Sequence, residues 1–197
     1  MCRPIESMSD AALLSTLVGR RTATNLLKDA SGSLARLLHA EQSQQVAPSF
    51  VEAKLMAARE LVRRSLAETM RERDMLASPS AVRDYLRIML AQRDHEVFMV
   101  LFLDARNRVI APEEMFRGTL THSCVYPRDV VKRALSLNAA AVILAHNHPS
   151  GVAEPSQADE LLTQSLRSAL ALVDIRVLDH IVIAGSSAIS FAERGLL

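Results

Sequence analysis

The chain has 197 residues, of which 49% are hydrophobic and 23% charged, with a formal net charge of +1. That balance excludes a mostly disordered chain, whose weak hydrophobicity cannot offset the entropy of ordering, and 6 glycines and 7 prolines exclude collagen-like or linker-like sequence. The longest apolar runs, Val97–Leu103 and Ala139–Ala145, have seven residues each, against the roughly 20 a bilayer-spanning helix needs, so no membrane partner is expected.

Residues 1–77 read as helical throughout. Ser9 or Asp10 caps a short helix that runs through Leu17 and ends at Gly19. Thr22–Asp29 and Ser33–Ala40 read as two more short helices, separated by Ala30-Ser31-Gly32. From Val51 to about Arg73, Leu55, Ala58, Leu61, Val62 and Leu66 recur at helical spacing opposite a face rich in Arg and Glu. This predicts a surface helix closing a small bundle. The character of the sequence changes at Ala77-Ser78-Pro79-Ser80, which places a second domain at 78–197.

Beyond that point helix and strand alternate. Ser80–Ala91 is expected to be a helix with Val82, Tyr85, Leu86, Met89 and Leu90 on one side. Glu96–Asp104 is β-branched, aromatic and apolar on both faces, as a central strand buried on both sides is. Asp104–Arg108 turns the chain into a short strand at Val109-Ile110, and Met115–Leu120 is expected to pair next. Pro127 suits the first turn of a helix running to about Asn138. Ala140–Ala145 reads as a second buried strand and Ser156 to about Val173 as a helix. Ile175–Leu178, Ile181–Ala184 and Ala188–Phe191 read as short strands. This order predicts an α/β or α+β domain with helices packed on a sheet.

Two cysteines, Cys2 and Cys124, are too few for a disulfide framework, and the opening residues Met-Cys-Arg-Pro-Ile-Glu-Ser carry no apolar leader. A reducing, cytoplasmic setting is the expectation. Residues 1–77 carry 11 basic and 9 acidic side chains and residues 78–197 carry 12 and 13. Neither part has the basic excess that drives non-specific binding to nucleic acid. With no tryptophan and few other aromatics, a base-stacking platform is not expected either.

The segment that carries chemistry runs from Ala145 to Asp159. His146 and His148 stand at i and i+2 at the end of a buried strand, where alternate side chains point the same way and two imidazoles can converge on one ion. Pro149 and Gly151 then stop the strand. Ser156 and Asp159 open the next helix, three apart and therefore on one face. Two imidazoles and one carboxylate match a catalytic zinc site, with three protein ligands and a position open to water. Ser156-x-x-Asp159 is equally a helix N-terminus with Ser as cap and an acid in the third position. The two readings can coexist. Asp179 and His180 are the kind of residues that receive the outer N–H of a ligating histidine, but they read as structural and are left outside the site. Cys124 reads as a small buried hydrophobe, and His39, His95 and His122 have no nameable partner.

These residues carry a resemblance. His146-x-His148-Pro149 followed by Ser156-x-x-Asp159 is similar to the signature of the MPN/JAMM metalloprotease domain. The longer string His146-Asn-His-Pro-Ser-Gly151 with Pro155-Ser156 resembles the RadC family in particular. So do Glu96–Asp104, Phe116–Thr119, Val125–Val130, Asp174–His180 and Ser190–Gly195. The resemblance covers about residues 78–197. It implies an MPN/JAMM sheet flanked by helices, with His146, His148 and Asp159 as zinc ligands. It further implies that Ser156 helps stabilise an oxyanion and that Glu96 orients and deprotonates the zinc-bound water. Without the resemblance Glu96 reads as a solvated acid at a strand end, because Asp94, Glu113 and Glu114 are equally available.

Ser9–Leu14 and Gly32–Leu38 resemble RadC as well. In that family this region ends in a DNA-binding helix–hairpin–helix, here matched by Val46–Lys54 without its glycines. Only glycine freely takes the positive φ that lets a backbone approach a phosphate closely. Lys54, Arg59, Arg63 and Arg64 therefore read as a solvated helix face, with weak phosphate contacts as the alternative. The expected function is a zinc-dependent hydrolase that cleaves an amide bond in a peptide or protein substrate. Two alternatives stay open: action on DNA or within a repair complex, with which the family name is historically tied, and a non-catalytic MPN scaffold.

Overall fold

The computed structural model describes residues 8–32, 34, 37, 50–72, 74–75, 78–91, 93–118 and 125–197. Cys2, His39, His122, Cys124, most of Ser33–Ala40 and residues 46–49 of the degenerate hairpin lie outside the described residues. Two compact units divide the chain, residues 1–64 and 65–197.

In the first unit, α1 (Asp10–Val18) starts where Ser9 accepts a hydrogen bond from the backbone N–H of Ala12 and ends at Gly19, whose φ of 84° few other residues would adopt. Helix α2 (Arg20–Asp29) follows at once. Leu14, Ala23 and Leu55 form the small apolar centre, joined by Val18, Leu26, Leu27, Leu34, Leu37 and Val51. Lys54 lies near the start of α3 (Phe50–Glu72) and donates from Nζ to the carbonyl of Leu17 at 2.8 Å. It satisfies one of the carbonyls that the end of α1 leaves unpaired. The apolar stripe expected along α3 is buried only in part. Leu55 and Leu66 pack, but Leu61 is 69% exposed and Val62 52% exposed.

In the second unit, five strands form a mixed sheet in the order β2-β1-β3-β4-β5. They are β1 (Val97–Leu103), β2 (Val109–Arg117), β3 (Ala141–Asn147), β4 (Arg176–Ala184) and β5 (Ser187–Ser190). Only β3 and β4 are parallel, and the helix between them, α6 (Gln157–Ala171), makes the crossover a parallel pair requires. The remaining helices are α4 (Pro79–Leu90), α5 (Pro127–Ser136) and the single turn α7 (Phe191–Arg194). Among the described residues, no helix is long and apolar enough to cross a membrane.

Every residue of β1 and of β3 is buried, because both strands lie inside the sheet with apolar cores on both faces. Met99, Leu101, Ile143 and Ile183 share one face with Tyr85, Leu86 and Leu90 of α4 and with Met70 and Met75. Phe98, Val100, Phe102, Val142 and Leu144 share the other with Val130 and Ala134 of α5 and Leu166 and Leu170 of α6.

Two expected strand breaks are absent. Val109-Ile110 and the first part of Met115–Leu120, as far as Arg117, belong to the one strand β2, while residues 119 and 120 lie outside the described residues. Pro112 does not interrupt it because β2 is an edge strand, where a missing N–H costs nothing on the open side, and two register shifts absorb the irregularity. Ile175–Leu178, from Arg176 on, and Ile181–Ala184 likewise belong to the one strand β4. Its register jumps between Val142↔Val177 and Ile143↔Asp179, so Leu178 is an extra residue. That bulge turns His180 toward the α6 face of the sheet.

Candidate metal centre

Strand β3 carries its chemistry at its C-terminal end. His146 is even-numbered like Val142 and Leu144 and so faces α6, while His148 lies one residue beyond the strand. Gly151, with φ 81°, and the bond from its N–H to the His148 carbonyl (3.1 Å) fold the chain into a loop. That loop delivers Ser156 to the start of α6, so the cluster sits at a strand–loop–helix junction outside the carboxyl end of a strand, where α/β sheets commonly bind ligands.

The helix start is a reciprocal cap. Asp159 N–H donates to Ser156 Oγ at 3.2 Å, and Ser156 N–H donates to Asp159 Oδ2 at 2.7 Å. Ser156 Oγ–H donates to the same Oδ2 at 2.7 Å. The carboxylate nevertheless faces the histidines: Oδ1 lies 3.3 Å from His146 Nε2, and Oδ2 lies 3.5 Å from His148 Nε2. The two Nε2 atoms are 2.9 Å apart. Capping and convergence on the histidines therefore occur in the same residue.

Hydrogen-bond partners fix which ring atoms carry protons. His148 Nδ1 lies 2.7 Å from the Val152 carbonyl, which can only accept, so Nδ1 bears a hydrogen and, in the neutral ring, Nε2 keeps its lone pair. His146 Nδ1 meets His180 Nε2 at 2.8 Å. Two imidazole nitrogens at 2.9 Å beside a carboxylate repel one another unless a proton or a cation lies between them. Burial pushes the Asp159 carboxyl up, but hydrogen bonds from His146, His148 and Ser156 outweigh it and hold the group well below the usual carboxylate range. His148 is raised, first by its hydrogen bond to Asp159, against desolvation, and further by the charges of Asp159 and Glu96. A positive centre among these atoms is what the electrostatics favour.

The chemistry of the donor set fits a divalent metal ion. Among the described residues, His146, His148 and Asp159 are the group of His, Cys, Asp or Glu whose ligand atoms all lie within 4.8 Å of one another. Two neutral imidazoles and a carboxylate suit zinc and its first-row neighbours.

Glu96 is half-buried and immediately precedes β1. Its carbonyl accepts from Gly118 N–H at 2.8 Å, and its side chain is close enough for its charge to act on His148. Asn147 braces this segment from β3: its Oδ1 accepts from Val97 N–H at 2.8 Å and its Nδ2 donates to the His95 carbonyl at 3.0 Å.

Sequence reasoning left out His180 and Thr163, which the structure brings to His146 and Asp159. His180 is fully buried, and burial pushes its imidazole well below the ordinary histidine value. The signal available in the sequence was a polar pair interrupting an apolar strand. Its neighbour Asp179 has a structural part, accepting from Ser190 Oγ at 2.6 Å and Ala192 N–H at 3.0 Å and so tying β4 to β5 and α7.

Residues 76–196 match the family described as RadC-like JAB domain. The chain is 57% identical over 194 residues to a UPF0758 protein of Thiobacillus denitrificans, an alignment covering 95% of this chain and 87% of that protein. A UPF0758 protein of Polaromonas sp. is 52% identical over 208 aligned positions, covering 100% of this chain and 93% of the relative. Another, from Nitrosomonas eutropha, is 63% identical over 145 residues, or 74% of this chain and 65% of that protein.

Proposed function

The chain belongs to the RadC-like JAB domain family, and from that premise we propose that it is a zinc-dependent hydrolase that cleaves an amide bond in a peptide or protein. The observation that carries this reading is the convergence of two imidazole lone pairs and one carboxylate at the end of a buried strand. His146, His148 and Asp159 would hold the ion. Zinc bound by three protein ligands supplies Lewis acidity and makes water nucleophilic near neutral pH.

The chain's own groups do the rest. Glu96 accepts the proton of the attacking water and passes it to the leaving nitrogen, so that one water is consumed and one acid and one amine are released. A general base needs hydrogen-bond reach to that water, and the place of Glu96 just before β1, whose Phe98 pairs with His146 of β3, supports this role. Ser156 turns its hydroxyl hydrogen from Asp159 Oδ2 toward the developing oxyanion. Its oxygen continues to accept from Asp159 N–H, so the helix cap survives the turn.

The test compares zinc-loaded wild type with Glu96→Gln on fluorogenic peptides and on an isopeptide-linked peptide pair. The variant should retain its zinc and lose at least about 10²-fold in kcat/KM, the lower range for loss of general base catalysis. Undiminished hydrolysis contradicts the role of Glu96. Cleavage of a labelled oligonucleotide with no cleavage of any amide contradicts the substrate class.

A further inference from the structure

We infer that Thr163 and His180 are positioning residues for the metal, holding His146 through a one-way chain of hydrogen bonds in the tautomer whose Nε2 lone pair faces the ion. This rests on the reading of His146, His148 and Asp159 as ligands.

The direction of the chain follows from the atom at its far end. The main-chain carbonyl of Asp159 has lone pairs and no hydrogen. Thr163 Oγ1 lies 2.6 Å from it, one helical turn away in α6, so the threonine hydrogen points there. With that hydrogen committed, Thr163 Oγ1 must accept from its other neighbour, His180 Nδ1, also at 2.6 Å. His180 therefore carries its hydrogen on Nδ1, and its Nε2 can only accept. The atom facing that Nε2 is His146 Nδ1, at 2.8 Å, which must be the donor. A neutral His146 with its hydrogen on Nδ1 has a bare Nε2, the atom turned to His148 and Asp159. The chain begins on the backbone of one ligand and ends on the ring of another.

The surroundings keep it in this state. Thr163 is 1% exposed and His180 0% exposed. The His180 ring stacks on Phe191 at 4.7 Å between centroids and meets Phe98 edge-on at 5.7 Å, which holds the ring plane. The bulge at Leu178 sets the strand so that His180 reaches α6. His148 reaches the same tautomer by a shorter route, through the Val152 carbonyl alone.

Thr163 makes the decisive test because it touches neither ring nitrogen of a ligand. Zinc affinity is measured by competition with a chromophoric chelator for the full chain, Thr163→Val, Thr163→Ser and His180→Phe. Ring 15N shifts report the His146 tautomer in the zinc-free proteins. Valine keeps the shape but frees His180 to move its hydrogen to Nε2 and donate to His146, which puts the His146 hydrogen on the ligand atom. Thr163→Val should weaken zinc binding about 10–100-fold, the usual range for losing a partner behind a ligand, and shift part of the His146 population to Nε2–H. Thr163→Ser, which keeps the hydroxyl, should bind as wild type does. His180→Phe should weaken binding at least as much as Thr163→Val. A packing role alone gives the reverse order, valine harmless and serine harmful. That order, or equal zinc affinity in wild type and Thr163→Val with an unchanged His146 tautomer, overturns the inference while leaving the ligands in place. No zinc uptake by the wild type overturns the ligand reading itself.

Discussion

Asn147 stands between the two histidines in the chain but works on the opposite side of β3. It joins the strand that carries His146 to the segment that carries Glu96, accepting from Val97 N–H and donating to the His95 carbonyl. Val97 lies at the buried start of β1, so Asn147→Ala should lower unfolding stability by about 1–3 kcal/mol, the range for stranding a buried polar group. Urea denaturation measures this, and an unchanged midpoint contradicts the brace. At this scale the sequence disclosed what neighbours in the chain can disclose. His146 and His148, two apart on a strand, and Ser156 and Asp159, three apart on a helix, are legible because secondary structure alone brings each pair together. Thr163 and His180 are not, because their contacts lie 17 and 34 residues away and depend on the strand pairing.

Elements were misread where a local rule met a special place in the sheet. Val109-Ile110 and the stretch from Met115 looked like separate strands, but Pro112 between them holds a place in one edge strand. Asp179-His180 looked like a gap between strands and is the interior of β4, where a bulge sends each side chain to a partner. Helix α3 shows the opposite error: helical spacing identified the helix, but spacing does not say what packs against each turn. Leu61 is 69% exposed, whereas Leu144 of β3 is 0% exposed. Leu61→Lys should therefore change stability by no more than about 0.5 kcal/mol, while Leu144→Ala should lose about 2–5 kcal/mol. Denaturant midpoints of the two variants check this, and a large loss at Leu61 would restore the continuous buried stripe.

At the scale of the whole molecule, the matched family region, 76–196, and the second compact unit, 65–197, differ at their N-terminal side. The difference has substance: Met70 and Met75 are 0% and 2% exposed and pack with Tyr85 and Leu86 beneath the sheet. Composition placed the change of character at Ala77-Ser78, where helix gives way to mixed structure, but core packing does not follow the change in pattern. The apolar strands β1 and β3 were legible throughout because burial on both faces leaves no polar alternation to misread.

The sheet, the loop after β3 and the start of α6 together bring His146, His148 and Asp159 into a group that could hold one metal ion. The direct measurement is zinc content by elemental analysis, before and after adding zinc, of protein purified without a His-tag or chelator. Wild type is compared with His146→Ala, His148→Ala and Asp159→Ala. The account predicts about one zinc per chain in the wild type, as a site of three protein ligands and one water binds, and its loss in each variant. A wild type that neither contains nor takes up zinc, or variants that hold as much as the wild type, would contradict it.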